Sequence, residues 1–476
     1  MRTDAGSKKA AVGGSLPDYF AALPPESTPP NLTPRALDAR SLLCSARQLP
    51  AMTNAHDRQT AGFKERTRVA DARETLLAAA TPHQRTDTLP LGRVDGRSLA
   101  EAVTAPNPVP NYDRAAMDGW AVRAEDTFGA SDRSPSILRV AVSEAESDAD
   151  TAVEPGSAVR VHTGSELPPG ADAVVMVEHA DVVGSELEVF DAVTEGENVG
   201  DAGEDVAEGQ KLFDIGHELR PSDLGLLKSV GRDEVTVYDR PTVGVIPTGE
   251  ELVQSDPEPG EVVETNGLTV SRLVHRWGGV ATYRNVVTDD PAALRAAVQR
   301  DLTKDVIVTT GGSSVGERDL IPEVVDELGE ILVHGVALKP GHPVALGVVE
   351  NTPVVMLPGY PVACIVNAVQ FLRPLLKHVG HLDGRPYPSV EARLERKIPS
   401  EPGVRTFARV RLREENDEGD NGGNDPVERI AEPTRASGSG VLSSVALADG
   451  WVAVPEETEG YAKGETVTVE GWEWSA

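Results

Sequence analysis

Cysteine is almost missing from this chain: Cys44 and Cys364 stand alone among 476 residues. Two thiols so far apart supply neither a disulfide framework nor a cysteine-based zinc site. Aromatic residues are scarce as well, at 4%. Positive charge is in short supply, since 45 Lys and Arg face 76 Asp and Glu for a formal net charge of −31. No Lys/Arg stripe offsets phosphate repulsion, which excludes non-specific nucleic-acid binding. No apolar run approaches the ~18 residues that cross a bilayer. The expected protein is therefore cytoplasmic, with no membrane and no nucleic-acid partner. An anionic small ligand would need a local basic pocket against that global field.

What is present divides the chain into stretches of different character. Residues 1–51 carry six basic residues against four acidic ones, so the remainder carries −33. They are rich in Pro and Ala and lack the apolar core of a secretory signal. Residues 1–63 are expected to be a disordered arm or a mis-called start. From Thr67 the pattern turns helical, with Val69, Ala72, Leu76, Leu77 and Ala80 at helical spacing and Thr67 or Asp71 near the start. Residues 64–104 and 201–239 form an N-terminal and linker subdomain, with a hairpin expected at Gly203–Val206 and a helix opening at Pro221-Ser222. Residues 105–200 read as an inserted all-β subdomain, its short apolar runs parted by Gly, Pro and Asp.

Residues 240–384 alternate strand and helix, the pattern of a wound α/β domain with helices on both faces. Its strands are expected at Val243–Ile246, 306–310, 331–338, 344–349 and 353–357. Its helices are expected at Asn266–Trp277, from Asp290-Pro291 to Leu302, near Leu320–Leu328 and at 361–379. Residues 385–476 return to short strands. The acidic Glu414–Asp425 run within them reads as a solvated hairpin loop. His378 and His381 flank Gly380 and read as a solvated helix cap.

The most informative stretch is Asp305-Val-Ile-Val-Thr-Thr-Gly-Gly-Ser-Ser-Val-Gly-Glu-Arg-Asp319. A buried strand that opens through paired glycines before a helix presents backbone N–H groups to an anion. Gly311 and Gly316 have the spacing of a Walker loop, but Glu317 and Arg318 stand where Lys and Ser/Thr would hold triphosphate and metal. The loop suits a phosphate or another oxyanion; a plain strand–helix turn is the other reading.

Further motifs occur in one order around it: Asp113-Arg-Ala-Ala-Met-Asp-Gly-Trp-Ala121, His162-Thr-Gly164, Val174-Val-Met-Val-Glu178, Gly203-Glu-Asp205, Pro247-Thr-Gly-Glu-Glu-Leu252, Thr265-Asn-Gly267, Asp289-Asp-Pro291, Lys339-Pro-Gly341 and Leu357-Pro-Gly-Tyr-Pro361. Each is weak alone; their joint order resembles the molybdopterin molybdenumtransferase (molybdenum insertase) family, which includes bacterial MoeA and the C-terminal region of gephyrin. The match covers roughly residues 64–476. The acidic, Arg-rich, aromatic-poor composition is similar to that of a halophile's cytosolic proteins, here a halophilic archaeon's.

The resemblance implies an elongated homodimer with an N-terminal helical segment, an inserted all-β domain, a molybdopterin-binding-like α/β domain and a C-terminal β-barrel. It implies an enzyme that inserts molybdate, or tungstate in its place, into adenylylated molybdopterin and releases AMP. The active cleft is implied to lie between the α/β unit of one subunit and the N-terminal β region of the other. Other cofactor-biosynthesis or acceptor proteins are further implied partners. Two alternatives stay open: a molybdopterin adenylyltransferase and a non-catalytic pterin-binding scaffold.

Cleaving a pyrophosphate bond needs charge neutralisation, usually Mg²⁺ on carboxylates and a basic side chain on phosphate. The candidates at predicted strand ends are Glu250, Glu251, Asp289, Asp290 and Asp319, with Lys339 as the cation. Gly311, Gly312, Ser313 and Ser314 are assigned to phosphate or nucleotide, together with Thr248, Asn266, Pro340, Gly341, Pro358 and Gly359. Asp319, Glu251 and Asp289 are assigned to Mg²⁺, and Asp319 and Glu251 also to catalysis with Lys339. By the resemblance, Asp118 and Asp205, also assigned to catalysis, and Thr163, assigned to substrate or phosphate, are placed in the cleft from the other subunit. Each has a plainer reading: Asp290 as a helix cap, Asp118 as turn chemistry, Pro358 as loop shape, Cys364 and Trp120 as packing.

The chain departs from the family pattern at four places. Many members have lysine where Gly335 and His342 stand, Asn at Tyr360 and Ser at Ala363. The pocket is expected to lack two cations and a hydroxyl, with His342 a partial substitute if protonated.

Overall fold

The computed structural model describes residues 66–141, 152–312, 320–415, 428–434 and 438–474. The expected arm at residues 1–63 lies outside them. All described residues belong to one compact unit, Arg58–Ala476. They form a multidomain α/β and β protein built around three six-stranded sheets.

The central sheet runs in the order Val280–Tyr283, Thr242–Pro247, Val306–Thr310, Thr352–Leu357, Ala345–Val349, Glu330–His334. The first four strands are parallel and the last two antiparallel. Alternate residues of each strand point to opposite faces, so Val306 and Val308 enter one core while Ile307 enters the other. The helices Asn266–Arg276 and Pro361–Asn367 bury Val270, Val274, Val362 and Val366 on the first face. The helices Pro291–Arg300 and Leu320–Leu328 bury Leu294, Val298, Ile321 and Val325 on the second. Coverage on both sides explains the continuous apolar strands.

The second sheet is ordered Ala173–Met176, Gly119–Val122, Ser157–Val161, Ser136–Val140, Glu186–Val189, Ala180–Val183. Trp120 is buried in its core, as its packing reading required. The third contains Arg405–Glu415, Glu428–Pro433, Ser389–Leu394, Thr466–Glu470 and Gly450–Val454. Pairing of the last with the first closes these five strands into a barrel, which leaves them no free edge.

Several expected elements differ. The 331–338 strand is two pieces: Gly335 at φ +88° ends Glu330–His334, and Leu338–Lys339 pairs instead with Arg405-Thr406 of the barrel. Gly203–Val206 is a turn and not a hairpin, because the amides of Gly203, Asp205 and Val206 donate to the carbonyls of residues 109 and 110 and that of Glu204 to Asp201. Thr67 starts no helix; it bridges to Val336, and the helix begins at Val69. The helix from Pro361 runs through a π-helical segment, Ala368–Leu372, into Arg373–Val379. Glu414 extends a barrel strand, while most of the acidic run after it lies outside the described residues. His378 and His381 are half-buried rather than solvated. Their Nε2 atoms meet the carbonyls of Ala80 and His83, and His381 stacks on Tyr238 at 3.7 Å.

Candidate active site at the strand ends

Three neighbouring parallel strands end together. They run out into Thr248-Gly249, Gly311-Gly312 and Pro358-Gly359, on the edge where wound α/β sheets bind ligands. Gly311 has φ +110°, and a Cβ there would lie 2.2 Å from the Thr248 carbonyl oxygen. Only glycine fits. At Gly312 a Cβ would lie 3.1 Å from Thr248 Oγ1. The hydroxyls of Thr248, Thr309 and Thr310 are buried without a hydrogen-bond partner. Gly311 N–H donates to Leu357 at 3.1 Å, so this amide is spent within the sheet. The nest is smaller than expected, with the Thr248 hydroxyl beside it still unpartnered among the described residues. Gly359 lies with its Cβ position 3.4 Å from Gly311 Cα, and Asn266 Nδ2 donates to its carbonyl at 2.7 Å. Thr248, Gly311, Gly312, Pro358, Gly359 and Asn266 are therefore neighbours. Ser313, Ser314 and Asp319 lie outside the described residues.

The acids separate by role. Asp290 caps a helix, its carboxylate accepting from Ala293 N at 2.8 Å. Asp289 is the unusual one: Oδ1 is buried without a partner. Burial, then the neighbouring Glu251 carboxylate, raises its pKa above the ordinary carboxylate range. The Glu251 carboxylate folds back to within 2.8 Å of the Gly249 Cβ position. Glu251 and Asp289 thus lie near enough at the strand ends for one charge to act on the other. Among the described residues no three carboxylates, imidazoles or thiols converge as a ready-made metal cage.

Lys339 is not a lone cation. Its ammonium is 3.2 Å from Glu401 of the barrel domain, and both side chains are exposed. The following turn does reach the site. Asn367 Nδ2 donates to Gly341 O at 2.9 Å and to Ala363 O at 2.8 Å, which fixes Pro340-Gly341 against the helix that starts just after Gly359. The departures have local causes. Gly335 sits at φ +88°, strained for lysine. Burial, then Arg66, lowers the His342 pKa, so His342 is a neutral group and no substitute for a cation. Tyr360 is exposed, and Ala363 is buried against the Gly341 turn. Cys364 is fully buried, and burial pushes its thiol pKa up, as suits packing and not reactivity.

A second group lies on the β domain. Asp118 Oδ1 accepts from Thr163 N at 2.8 Å and Thr163 Oγ1 at 3.1 Å, bonds that lower its pKa. Asp113 accepts from Ala202 N at 2.8 Å, Arg114 pairs with Glu204, and Gly164 N donates to Ala115 O. Three motifs far apart in sequence are thus one exposed rim, with Asp205 exposed beside them. Among the described residues no hydrogen bond or ion pair joins this rim to the strand-end group. Sequence reasoning missed Glu264, Thr309, Thr310 and Asn367. Glu264 had one signal, its place just before Thr265-Asn-Gly267.

These features define a class: a multidomain protein whose wound α/β domain gathers glycines, buried threonine hydroxyls and carboxylates at its strand ends, with a separate acidic rim on a β domain. Residues 67–231 match the MoeA N-terminal region (domain I and II), residues 244–378 a probable molybdopterin binding domain, and residues 391–472 the MoeA C-terminal region (domain IV). The chain is 37% identical over 384 residues to a putative molybdopterin biosynthesis protein of Methanocaldococcus jannaschii, covering 78% of this chain and 89% of that protein. It is 33% identical over 403 residues to the molybdopterin molybdenumtransferase of Bacillus subtilis, covering 80% and 90%. A crystal structure of the MoeA molybdopterin biosynthesis protein of Pyrococcus horikoshii superimposes with a TM-score of 0.72 at 34% identity, over 86% of this chain and 99% of that one. The chain belongs to the MoeA family of molybdopterin molybdenumtransferases.

Proposed function

We propose that this protein acts in molybdenum cofactor biosynthesis, inserting molybdate into adenylylated molybdopterin with release of AMP. The observation that carries this reading is the strand-end pocket. Gly311, which has no room for a side chain, Gly312 beside it, an unpartnered threonine hydroxyl and two neighbouring carboxylates meet where a phosphoanhydride needs donors and charge neutralisation. The bond between the AMP phosphorus and its bridging oxygen breaks and that oxygen leaves on the pterin's phosphate; AMP is completed by an oxygen of water, or by one that molybdate gives up as the dithiolene sulfurs replace it on molybdenum. No protein nucleophile is required.

In this reading Gly312 and Thr248 bind the phosphate, and Gly311 keeps side-chain bulk out of its path. Asn266, through Gly359, with Pro358 behind it, shapes the opposite wall, and Pro340-Gly341 carries Lys339 toward the oxyanion. Lys339 must exchange Glu401 for its ligand. Ser313, Ser314 and Asp319 complete the phosphate loop.

The donor set fits Mg²⁺, which takes oxygen ligands from one or two carboxylates and substrate phosphates. Glu251 and Asp289 would hold it with Asp319, and the buried unpartnered Oδ1 of Asp289 is the oxygen still seeking a partner. Bound there, the ion would neutralise charge on the phosphates.

The exposed Asp118, Thr163 and Asp205 rim serves the strand-end site of a second copy, in a homodimer. The domain division is 64–104 with 201–239, 105–200, 240–384 and 385–476. The protein works in the cytoplasm; no helix among the described residues is long and apolar enough to cross a membrane. The test is AMP release from adenylylated molybdopterin by purified protein with molybdate and Mg²⁺. Consumption of ATP and molybdopterin to make that intermediate would instead identify an adenylyltransferase.

A further inference from the structure

Glu264 is 6% exposed, and no basic side chain pairs with it among the described residues. A buried carboxylate without a counter-cation is costly unless its oxygens are hydrogen-bonded. Here Oε1 accepts from Gly267 N at 2.7 Å, in the first turn of the Asn266–Arg276 helix, where the helix dipole favours negative charge. The other oxygen accepts from the Tyr283 hydroxyl. Burial first, then this bond, pushes the Tyr283 pKa up to about 12, so the phenol stays a donor throughout the neutral range.

What these bonds hold is the site. The residue two after Glu264 is Asn266, whose side chain fixes the Gly359 carbonyl against Gly311. Gly267 lets the helix start come close: a Cβ there would lie 2.5 Å from Tyr283 Cε2 and 2.9 Å from Pro247 Cγ. On its other side, Glu264 N donates to Val253 O at 2.8 Å, and Val262 N donates to Glu251 O at 2.8 Å. A short parallel pairing of Leu252–Val253 with Val262–Val263 joins the two. Glu264 therefore ties two site elements together: its carboxylate holds the helix start that carries Asn266, and its backbone amide holds the strand that follows Glu251.

We propose that Glu264, clasped by Tyr283 and the Gly267 amide, is a positioning residue that sets the gap between Gly359 and Gly311 for a nucleotide phosphate, acting through Asn266. This rests on the function proposed above, since the gap matters only if AMP or its ester occupies it. Glu264 itself touches no substrate.

The experiment is calorimetric titration of the full chain with AMP, in a double-mutant cycle. Glu264→Ala should weaken AMP binding by about tenfold, and Glu264→Gln, which keeps an acceptor for Gly267 N–H, by less than about threefold. In an Asn266→Ala background Glu264→Ala should add less than about twofold, because both act through one wall. In turnover the loss should fall on KM more than on kcat. If Glu264→Ala fails to fold, Tyr283→Phe runs the same cycle. Wild-type affinity in the variant, or losses that multiply in full, overturns the proposal. Failure of the wild type to bind AMP overturns both readings. AMP binding without AMP release overturns the function alone.

Discussion

The strand-end pocket and the β-domain rim bring together the same kinds of residue in opposite settings. At the strand ends, Thr248 is 1% exposed with an unpartnered hydroxyl, and Gly311 sits against a carbonyl with no room for a methyl group. On the rim, the Asp118 side chain is 56% exposed and its hydrogen bonds all run to its own domain. A buried, under-satisfied polar pocket is shaped for a ligand before the ligand arrives. An exposed carboxylate in water has little electrostatic reach until something covers it. In the proposed function the two regions would be complementary halves, one preorganised and one desolvated only when a second copy of the chain covers it.

Gly311→Ala should break this comparison most severely. The added methyl would meet the Thr248 carbonyl, and the backbone at φ +110° would be strained. The expected cost is at least ~2 kcal/mol of stability together with loss of AMP release, read by thermal melting and a turnover assay. Asp118→Asn should do the reverse: stability changes by less than ~0.5 kcal/mol, while activity falls about a hundredfold or more. The halves can then be tested together. If each cleft draws on both chains, exchanging Asp118→Asn subunits with Asp289→Asn subunits makes hybrids with one intact cleft. An equal mixture should recover about a quarter of the wild-type rate. A mixture as dead as its parents would place both residues in one chain's site.

Much of the strand-end half was legible because it rests on local rules. The β-branched run Val306–Val308 and the paired glycines mark a buried strand and its exit, and Asp290-Pro291 is a helix start that needs no tertiary knowledge. The rim's motifs could be seen only as separate strings. Nothing local says that Asp113 meets Ala202 or that Asp118 meets Thr163, since those contacts follow from strand pairing across ~45 to ~90 residues. Three features escaped sequence reasoning for a related reason. The break at Gly335, the spent Gly311 amide and the Glu401 partner of Lys339 each depend on what another domain or strand supplies. Propensity cannot report the other end of a hydrogen bond.

Asp289 gives a smaller and pH-dependent effect. Its folded-state pKa is raised, so the folded protein holds that proton more tightly than the unfolded chain does. Stability then declines as pH rises from the ordinary carboxylate range through the raised value, where the buried carboxylate must ionise. Asp289→Asn should therefore raise the melting temperature at neutral pH, with the gain shrinking as pH falls below that window. The same variant should lose Mg²⁺-stimulated AMP release. An Asp289→Asn melting-temperature gain that is the same at neutral and acid pH would mean that burial and Glu251 do not hold the Asp289 proton as described.

Lys339 should give the mildest change, and it bears directly on how preorganised the pocket is. Its ammonium is exposed and already paired with Glu401, an arrangement that contributes no more than ~1 kcal/mol. Removing that competitor leaves the lysine free for an oxyanion. Glu401→Gln should lower the KM for molybdate by about two- to fivefold at low ionic strength, and the difference should fade in high salt as screening shortens the reach of the charge. Lys339→Gln should raise the same KM by more than Glu401→Gln lowers it, because it deletes the ligand contact as well as the competing pair. Equal KM values for the wild type and both variants would mean that Lys339 belongs to the barrel contact alone. The pocket's cation would then have to come from the partner subunit.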